Sequence, residues 1–198
     1  MKLSAKQQLV KEFVKELHEG QKRKYTDEPY WHHLVRVATI LDTFKVTYYR
    51  PAFLIEIALL HDVLEDQKHR CNEMQMVDRL KVCGYDYFDG MFITRAVIEL
   101  TDVYTPKRLP DANRAKRKYL EAQRLHEISS VAQTVKYADL MDNTRDIVEN
   151  DPKFAVTYLK EKEMILEGMV HGDKTLLASC RQLLLNSKEK LNEKANSN

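Results

Sequence analysis

The sequence predicts an all-α protein, a helical bundle of about eight or nine helices, and three observations carry that expectation. Five glycines and five prolines in 198 residues leave little material for turns. Apolar residues recur three and four apart, the spacing that lays them on one face of a helix. No stretch alternates apolar and polar residues as a half-buried strand does, and no internal repeat is visible.

Each element follows in order. Ser4 caps a helix over residues 4–19 whose Leu9, Val10, Phe13, Val14 and Leu17 form an apolar stripe, and Gly20 ends it. A polar, basic stretch follows. Pro29 then opens a second helix at a favoured first position, carrying Trp31, Val35, Val37, Ala38, Ile40 and Leu41 together with His32 and His33. Pro51 opens a third, which runs into His61-Asp62. A short amphipathic helix over 71–83 stops at Gly84, and another spans about 88–101. Thr105 to Pro110 is a proline-bounded loop. Residues 112–126 form a charged helix with Tyr119 and Leu120 on its inner side. Ser129 or Ser130 caps the next, through Val131, Val135, Ala138 and Ile147. Asp151-Pro152 restarts the chain into 153–170, and Gly172-Asp173 restarts it into a helix ending near Leu191, after which the last residues fray.

Length and composition suit one domain over 1–198, with a core over about 5–170 and a C-terminal helix over about 173–191. A net charge of +2 gives no global attraction to nucleic acid or membrane, so any affinity for anions is local. Cys71, Cys83 and Cys180 form no CxxC, which fits reduced thiols in the cytoplasm. The N-terminus has no apolar h-region, and no apolar run is long enough to span a bilayer.

The residues that suggest chemistry begin with Ala58-Leu-Leu-His61-Asp62-Val-Leu-Glu65-Asp66. On one continuous helix Glu65 stands three residues from Asp62 and four from His61, so the three share a face, with Asp66 at its edge. Such a set can bind a divalent metal and position a water, or it can be the solvated end of a core helix. Lys136, Asp139 and Asn143 fall at i, i+3 and i+7 on a second stripe, which Asp146 continues. That stripe reads either as a metal-ligand and phosphate face or as a solvated face with Lys–Asp pairing. His33, three residues after Tyr30 and four before Val37, points inward where His32 does not, as a core histidine or a ligand.

Four blocks in order resemble the HD-domain hydrolases of guanosine tetra- and pentaphosphate, meaning the hydrolase half of RelA/SpoT enzymes and the stand-alone small alarmone hydrolases of the Mesh1 type. The blocks are His18-Glu-Gly-Gln-Lys-Arg23-Lys24, Pro29-Tyr-Trp-His-His33, His61-Asp62-Val-Leu-Glu65-Asp66 and Val135-Lys136-Tyr-Ala-Asp139-Leu-Met-Asp-Asn143. Glu99-Leu-Thr-Asp102 resembles the weaker block between the last two. The resemblance implies an HD-domain helical bundle in which His33, His61, Asp62 and Asp139 hold one divalent metal, in this family typically manganese. It implies Glu65 and Asp66 as the catalytic acid pair that orients a water and handles its proton. Arg23 and Lys24 match residues that flank the base and phosphates, and Lys136 and Asn143 match substrate contacts. The water would attack the 3′-pyrophosphate at the phosphorus nearest the ribose, giving GDP or GTP and pyrophosphate.

Several positions depart from the family pattern. Asp27 stands where Gly is usual, Leu34 where Pro is, Val63 and Gln67 where Thr is common, and Asp142 where His or Tyr is. None removes a proposed ligand or acid. Only about fifty residues of helical pattern follow Asn143, without the α/β unit a synthetase needs, so the expectation is degradation of a small nucleotide. Other functions compatible with the blocks are an HD phosphohydrolase acting on another nucleotide, such as a nucleoside phosphate or NADPH, and a non-catalytic nucleotide-binding module. Elsewhere, Arg114-Ala-Lys-Arg-Lys118 reads as a solvated basic face, and Leu176, Leu177, Cys180, Leu183 and Leu184 as core or a homo-oligomer seam. His18 is assigned to packing, and His69, His126 and His171 have no companions.

Overall fold

Caps written into the sequence set most helix starts in the computed structural model, which describes residues 1–46, 53–145 and 147–196. Nine longer helices and two single-turn ones lie among the described residues, and they divide between two compact units, Met1–Thr101 and Asp102–Asn198. No described helix is long and apolar enough to cross a membrane.

The first unit holds α1 (Ala5–Leu17), α2 (Trp31–Thr43), α3 (Leu54–Leu60), α4 (Val63–Asp66), α5 (Glu73–Val82) and α6 (Tyr87–Leu100). Ser4 and Gln7 make a reciprocal capping box at α1, Asn72 and Gln75 repeat it at α5, and Asp86 caps α6. The core forms around α3, whose Glu56, Ile57, Ala58, Leu59 and Leu60 are all buried. It packs against α1, α2 and α6, which surround it with Val14, Leu34, Val37, Ile93 and Val97. Each such aliphatic side chain contributes about 1.5–3 kcal/mol on burial. The one acid in α3, Glu56, is satisfied by the Tyr85 hydroxyl at 2.7 Å and the Gln7 amide at 3.1 Å. A helix buried all round is a rigid support, and His61 is the next residue after it.

The second unit holds α7 (Arg114–His126), α8 (Ser130–Thr144), α9 (Ile147–Asn150), α10 (Pro152–Gly168) and α11 (Lys174–Asn196). Ser129 caps α8, and Asp151 caps α10 with Pro152 in its first turn. The core lies along α8, with Ala132, Val135, Tyr137, Ala138 and Leu140 buried, and α11 packs on it through Leu176, Leu177, Cys180 and Leu184. Gln133 is buried too: its amide donates to the carbonyls of His126 and Ile128, and its oxygen accepts from the backbone of His171 and Gly172.

The chain departs from expectation at five places. Pro29 does not open α2, which begins two residues later at Trp31; it forms an isolated antiparallel bridge with Lys22. α3 stops at Leu60, so His61 and Asp62 form a turn before α4 rather than continuing one helix. On α7 the inner residues are Glu121, Ala122 and Leu125, while Tyr119 faces outward, because the Glu121 carboxylate accepts the backbone N–H groups of Val103 and Tyr104 and draws that face in. α8 ends at Thr144, and Ile147 begins α9. α11 continues through Asn196, past the expected end near Leu191, where Lys190 and Lys194 pair with Glu149. The expected helix start at Pro51 and the continuation of the stripe to Asp146 lie outside the described residues.

Candidate metal centre and active site

The turn after α3 aims the candidate ligands. His61 Nδ1 lies 2.8 Å from the Ala58 carbonyl, which only accepts, so the proton sits on Nδ1 and Nε2 carries the lone pair. That Nε2 lies 3.1 Å from Asp62 Oδ2, and His33 Nε2 lies 3.7 Å from the same oxygen. His33, on the core side of α2, is fully buried; its neighbour His32 turns away to Glu28, which also takes two hydrogen bonds from Arg36. The three donor atoms lie within 4.8 Å of one another. Donors about 2.1 Å from one ion and about 100° apart would lie about 3.2 Å from each other. Two imidazole nitrogens and a carboxylate in that spacing fit a divalent metal, with coordination positions left for oxygen ligands.

Around this cluster stands a shell of hydrogen bonds. The Tyr30 hydroxyl donates to Asp62 Oδ2 at 2.7 Å. Tyr30 is held by a short hairpin closed by Arg23 N–H to the Glu28 carbonyl at 2.8 Å and Tyr30 N–H to the Gln21 carbonyl at 2.9 Å. The turn places Asp27 at φ +56°, in the left-handed region that favours glycine and that Asp tolerates better than most residues, and Lys22 pairs with its carboxylate at 2.7 Å. A glycine at this position, usual in the resembled family, has the same backbone cause. The hairpin also sets the Arg23 guanidinium 5.6 Å from the Tyr30 ring centroid, while Lys24 reaches the Tyr25 hydroxyl at 2.9 Å.

The acid pair sits on α4, both side chains reaching the surface while the Asp66 carboxyl is partly enclosed beside Gln21 and Asp62. Asp66 N–H bonds to the Asp62 carbonyl at 2.8 Å, so the ligand turn and the acid move as one piece. Burial and the neighbouring Asp62 charge push the Asp66 carboxyl above its ordinary value, outweighing the hydrogen bond from Gln21 Nε2 at 2.7 Å. Gln21 Oε1 in turn faces His18 Nδ1 at 2.7 Å and accepts from Gln67. His18 is buried, stacked on Tyr30 at 5.1 Å and 16°, and burial lowers its pKa; its Nε2 has no hydrogen-bond partner among the described residues. His18, Gln21, Tyr30 and Gln67 are the neighbours that sequence reasoning did not assign to the site. Their signal was position alone, since each falls inside or beside one of the four blocks. A cleft of about 500 Å³ lined by Lys15, His18, Gln21 and Trp31 opens beside this shell and contains none of the candidate ligands.

In the second unit the expected stripe is present on α8. Asp139 is buried, with Lys136 Nζ at 2.8 Å from Oδ2 and Asn143 Nδ2 donating to Oδ1 at 2.5 Å. Asp102, in the weaker block, pairs with Lys118 at 2.9 Å. Burial pushes its carboxyl up, but Lys136 and Lys118 outweigh that and hold it below its ordinary value. The basic face on α7 is therefore partly engaged: Arg114 makes a two-pronged pair with Glu161 at 2.7 and 2.9 Å.

Comparison with known proteins bears out the resemblance read from the blocks. A solved structure described as a metazoan ortholog of SpoT that hydrolyses ppGpp and plays a role in starvation responses superposes with a TM-score of 0.73, covering 94% of this chain and 97% of that one at 24% identity. The fold is the all-helical HD fold. A curated Drosophila melanogaster protein, guanosine-3′,5′-bis(diphosphate) 3′-pyrophosphohydrolase MESH1, is 32% identical over 136 residues, which is 68% of this chain and 65% of the relative. The aligned stretch thus spans just under two thirds of the relative's length. No protein-family model matches the chain.

Proposed function

We propose that this chain is a metal-dependent hydrolase that removes the 3′-pyrophosphate of guanosine tetra- or pentaphosphate, giving GDP or GTP and pyrophosphate. One observation carries the reading: His61, its tautomer set by the Ala58 carbonyl, presents Nε2 beside Asp62 and His33, next to an acid with a raised pKa. The activity named for the Drosophila relative supplies the substrate. His33, His61 and Asp62 are the proposed metal holders, with Asp139 added on the family resemblance. Manganese suits this mixed nitrogen and carboxylate set. When bound, the metal supplies positive charge that stabilises the phosphoryl group and makes a neighbouring water more acidic.

The chain's own residues divide the remaining work. Glu65 and Asp66 orient the attacking water and hold its proton, and the ribose 3′ oxygen leaves with a proton as its bond to phosphorus breaks. Its raised carboxyl suits Asp66 to carry that proton. Arg23, Lys24, Lys136 and Asn143 are the proposed substrate contacts, the flat Arg23 guanidinium being a shape that stacks on a purine. We assign the protein to the cytoplasm, a reading supported by three buried thiols that form no disulfide.

The test offers guanosine tetraphosphate to the purified chain with manganese and follows pyrophosphate by phosphorus NMR. Asp62→Ala is expected to lose at least about 10³-fold in rate while retaining its circular dichroism. A wild type that binds manganese yet leaves guanosine tetraphosphate intact, while cleaving another nucleotide in a panel, would move the substrate assignment.

A further inference from the structure

We propose that Gln21 is a positioning residue for the acid Asp66, with its amide held in the working orientation by His18 and Gln67. This role deepens the reading above and rests on it for Asp66 being an acid of the reaction. The chain of hydrogen bonds stands on its own geometry.

Asp66 gains little support from its own helix. α4 is a single turn of four residues, and an aspartate at its end has two side-chain torsions to fix. Gln21 Nε2 reaches across to it and donates to Oδ2 at 2.7 Å. A carboxylate only accepts, so the Gln21 nitrogen must face Asp66 and its oxygen must face away. There the oxygen meets two donors, Gln67 Nε2 at 2.5 Å and His18 Nδ1 at 2.7 Å. The His18 proton therefore sits on Nδ1 and the lone pair on Nε2. Both polar atoms of the Gln21 amide are thus committed. Turning it over would set oxygen against carboxylate and nitrogen against two donors.

Local rules of the chain place these groups. Gly20 takes φ +78° just past the end of α1, and the Gln21 N–H then returns to the His18 carbonyl at 3.1 Å. That turn brings the His18 and Gln21 side chains together. On the hairpin side, the Tyr30 N–H holds the Gln21 carbonyl at 2.9 Å. Gln67 arrives from beyond α4, where Arg70 fastens the chain: its guanidinium donates to the Leu17 carbonyl at 2.5 Å, and its N–H donates to the Gln67 carbonyl at 2.8 Å. Gln67 is one of the departures from the resembled family, and its longer amide supplies the second donor to Gln21.

His18 is only 1% exposed, and its Nε2 is a buried acceptor with no hydrogen-bond partner among the described residues. Such an atom weakens a fold, and an apolar side chain packed on Tyr30 would avoid the loss. An apolar side chain would not supply the Nδ1 proton that turns Gln21. The imidazole is kept for that donor, and burial, which lowers its pKa, favours the neutral ring that carries it.

Variants of the full chain test this. Gln21→Met keeps the length of the side chain and removes both polar atoms. It is expected to lower kcat about 10- to 100-fold while leaving KM and manganese affinity within about twofold of wild type. His18→Leu is expected to lower kcat about tenfold, since Gln67 still holds the Gln21 oxygen, and His18→Asn, whose amide nitrogen can stand in for Nδ1, to recover most of the loss. The nucleotide used is whichever one the wild type cleaves, so a failed substrate assignment leaves the comparison intact. Asp66→Asn at the wild-type rate would remove the acid assignment and this role with it. An inactive Asp66→Asn beside a fully active Gln21→Met would remove this role alone. A Gln21→Met chain that loses manganese affinity in step with kcat would also overturn it, since the effect would then pass through the metal holders. So would a His18→Asn as slow as His18→Leu. The Gln21 side-chain amide resonances of the metal-free chain give a readout without turnover. They are expected to move in both Asp66→Asn and His18→Leu, and resonances fixed in both would overturn the chain of bonds.

Discussion

A histidine is ready to ligate a metal only when one nitrogen is already committed and the other faces the right partners. His61 meets both conditions through a single backbone carbonyl, and Tyr30 does the equivalent for Asp62 by holding one carboxylate oxygen at 2.7 Å. Tyr30→Phe keeps the ring that stacks on His18 and removes only the hydroxyl. Its expected result is a manganese affinity lower by about 10-fold or more with an unchanged melting curve, measured by metal titration. Unchanged affinity would mean that Asp62 needs no such anchor. The candidate ligands were legible because His-Asp and its following acids are adjacent in sequence. His18 and Tyr30 were not, since their roles depend on a hairpin whose strands are joined by two hydrogen bonds and no recognisable strand pattern. The thiols give a separate residue-scale expectation. Burial pushes Cys71 up to about 11 and Cys180 up to about 12, and Cys83 rises as well. At pH 7 a thiol-alkylating reagent should label the native chain negligibly and the urea-unfolded chain at all three positions. Rapid native labelling at any of them would contradict that burial.

Whole helices were legible wherever a cap and a stripe agreed, as at Ser4 with Gln7 or Asp151 with Pro152. They were illegible where a tertiary contact overruled the local pattern. Periodicity alone carries α3 straight through His61, yet the helix ends at Leu60 and restarts at Val63, and at that join His61 Nε2 and Asp62 Oδ2 come within 3.1 Å. Tyr119 was misplaced for a related reason: a buried glutamate gave no apolar signal, although it anchors the backbone of Val103 and Tyr104. The join between α10 and α11 yields a prediction at this scale. A Cβ on Gly172 would lie 2.6 Å from the Tyr137 ring and 2.9 Å from the Thr134 backbone nitrogen, and Tyr137 is itself tied to the Met169 carbonyl at 2.6 Å. Neither neighbour can yield easily. Gly172→Ala should therefore cost about 1–3 kcal/mol in urea unfolding. A variant as stable as wild type would show that this join relaxes freely.

For the molecule as a whole, the telling property is how stability changes with pH, because that reports a charge the fold tolerates rather than uses. Lys162 titrates at about 8 in the folded chain against an ordinary value of 10.5. Below pH 8 folded and unfolded chains both hold the proton, and the full cost of burying the ammonium is present. Between about 8 and 10.5 the unfolded chain keeps the proton that the folded one sheds, so the unfolded state binds more protons and stability rises with pH. Above 10.5 both are neutral and the gain levels off. A gap of that size corresponds to about 3 kcal/mol. The difference in urea-unfolding free energy between Lys162→Met and wild type cancels the titrations the two chains share, leaving this group and the neighbours that feel its charge, Asp102, Asp139, Lys118 and Lys136. The variant is expected to be the more stable one at pH 7, by up to about 3 kcal/mol, and its advantage should shrink steadily as pH rises from 8 toward 10.5. An advantage that stays constant with pH would mean the ammonium is not what burial penalises. A variant less stable than wild type at pH 7 would make Lys162 a structural residue, held in place by its packing on Tyr158.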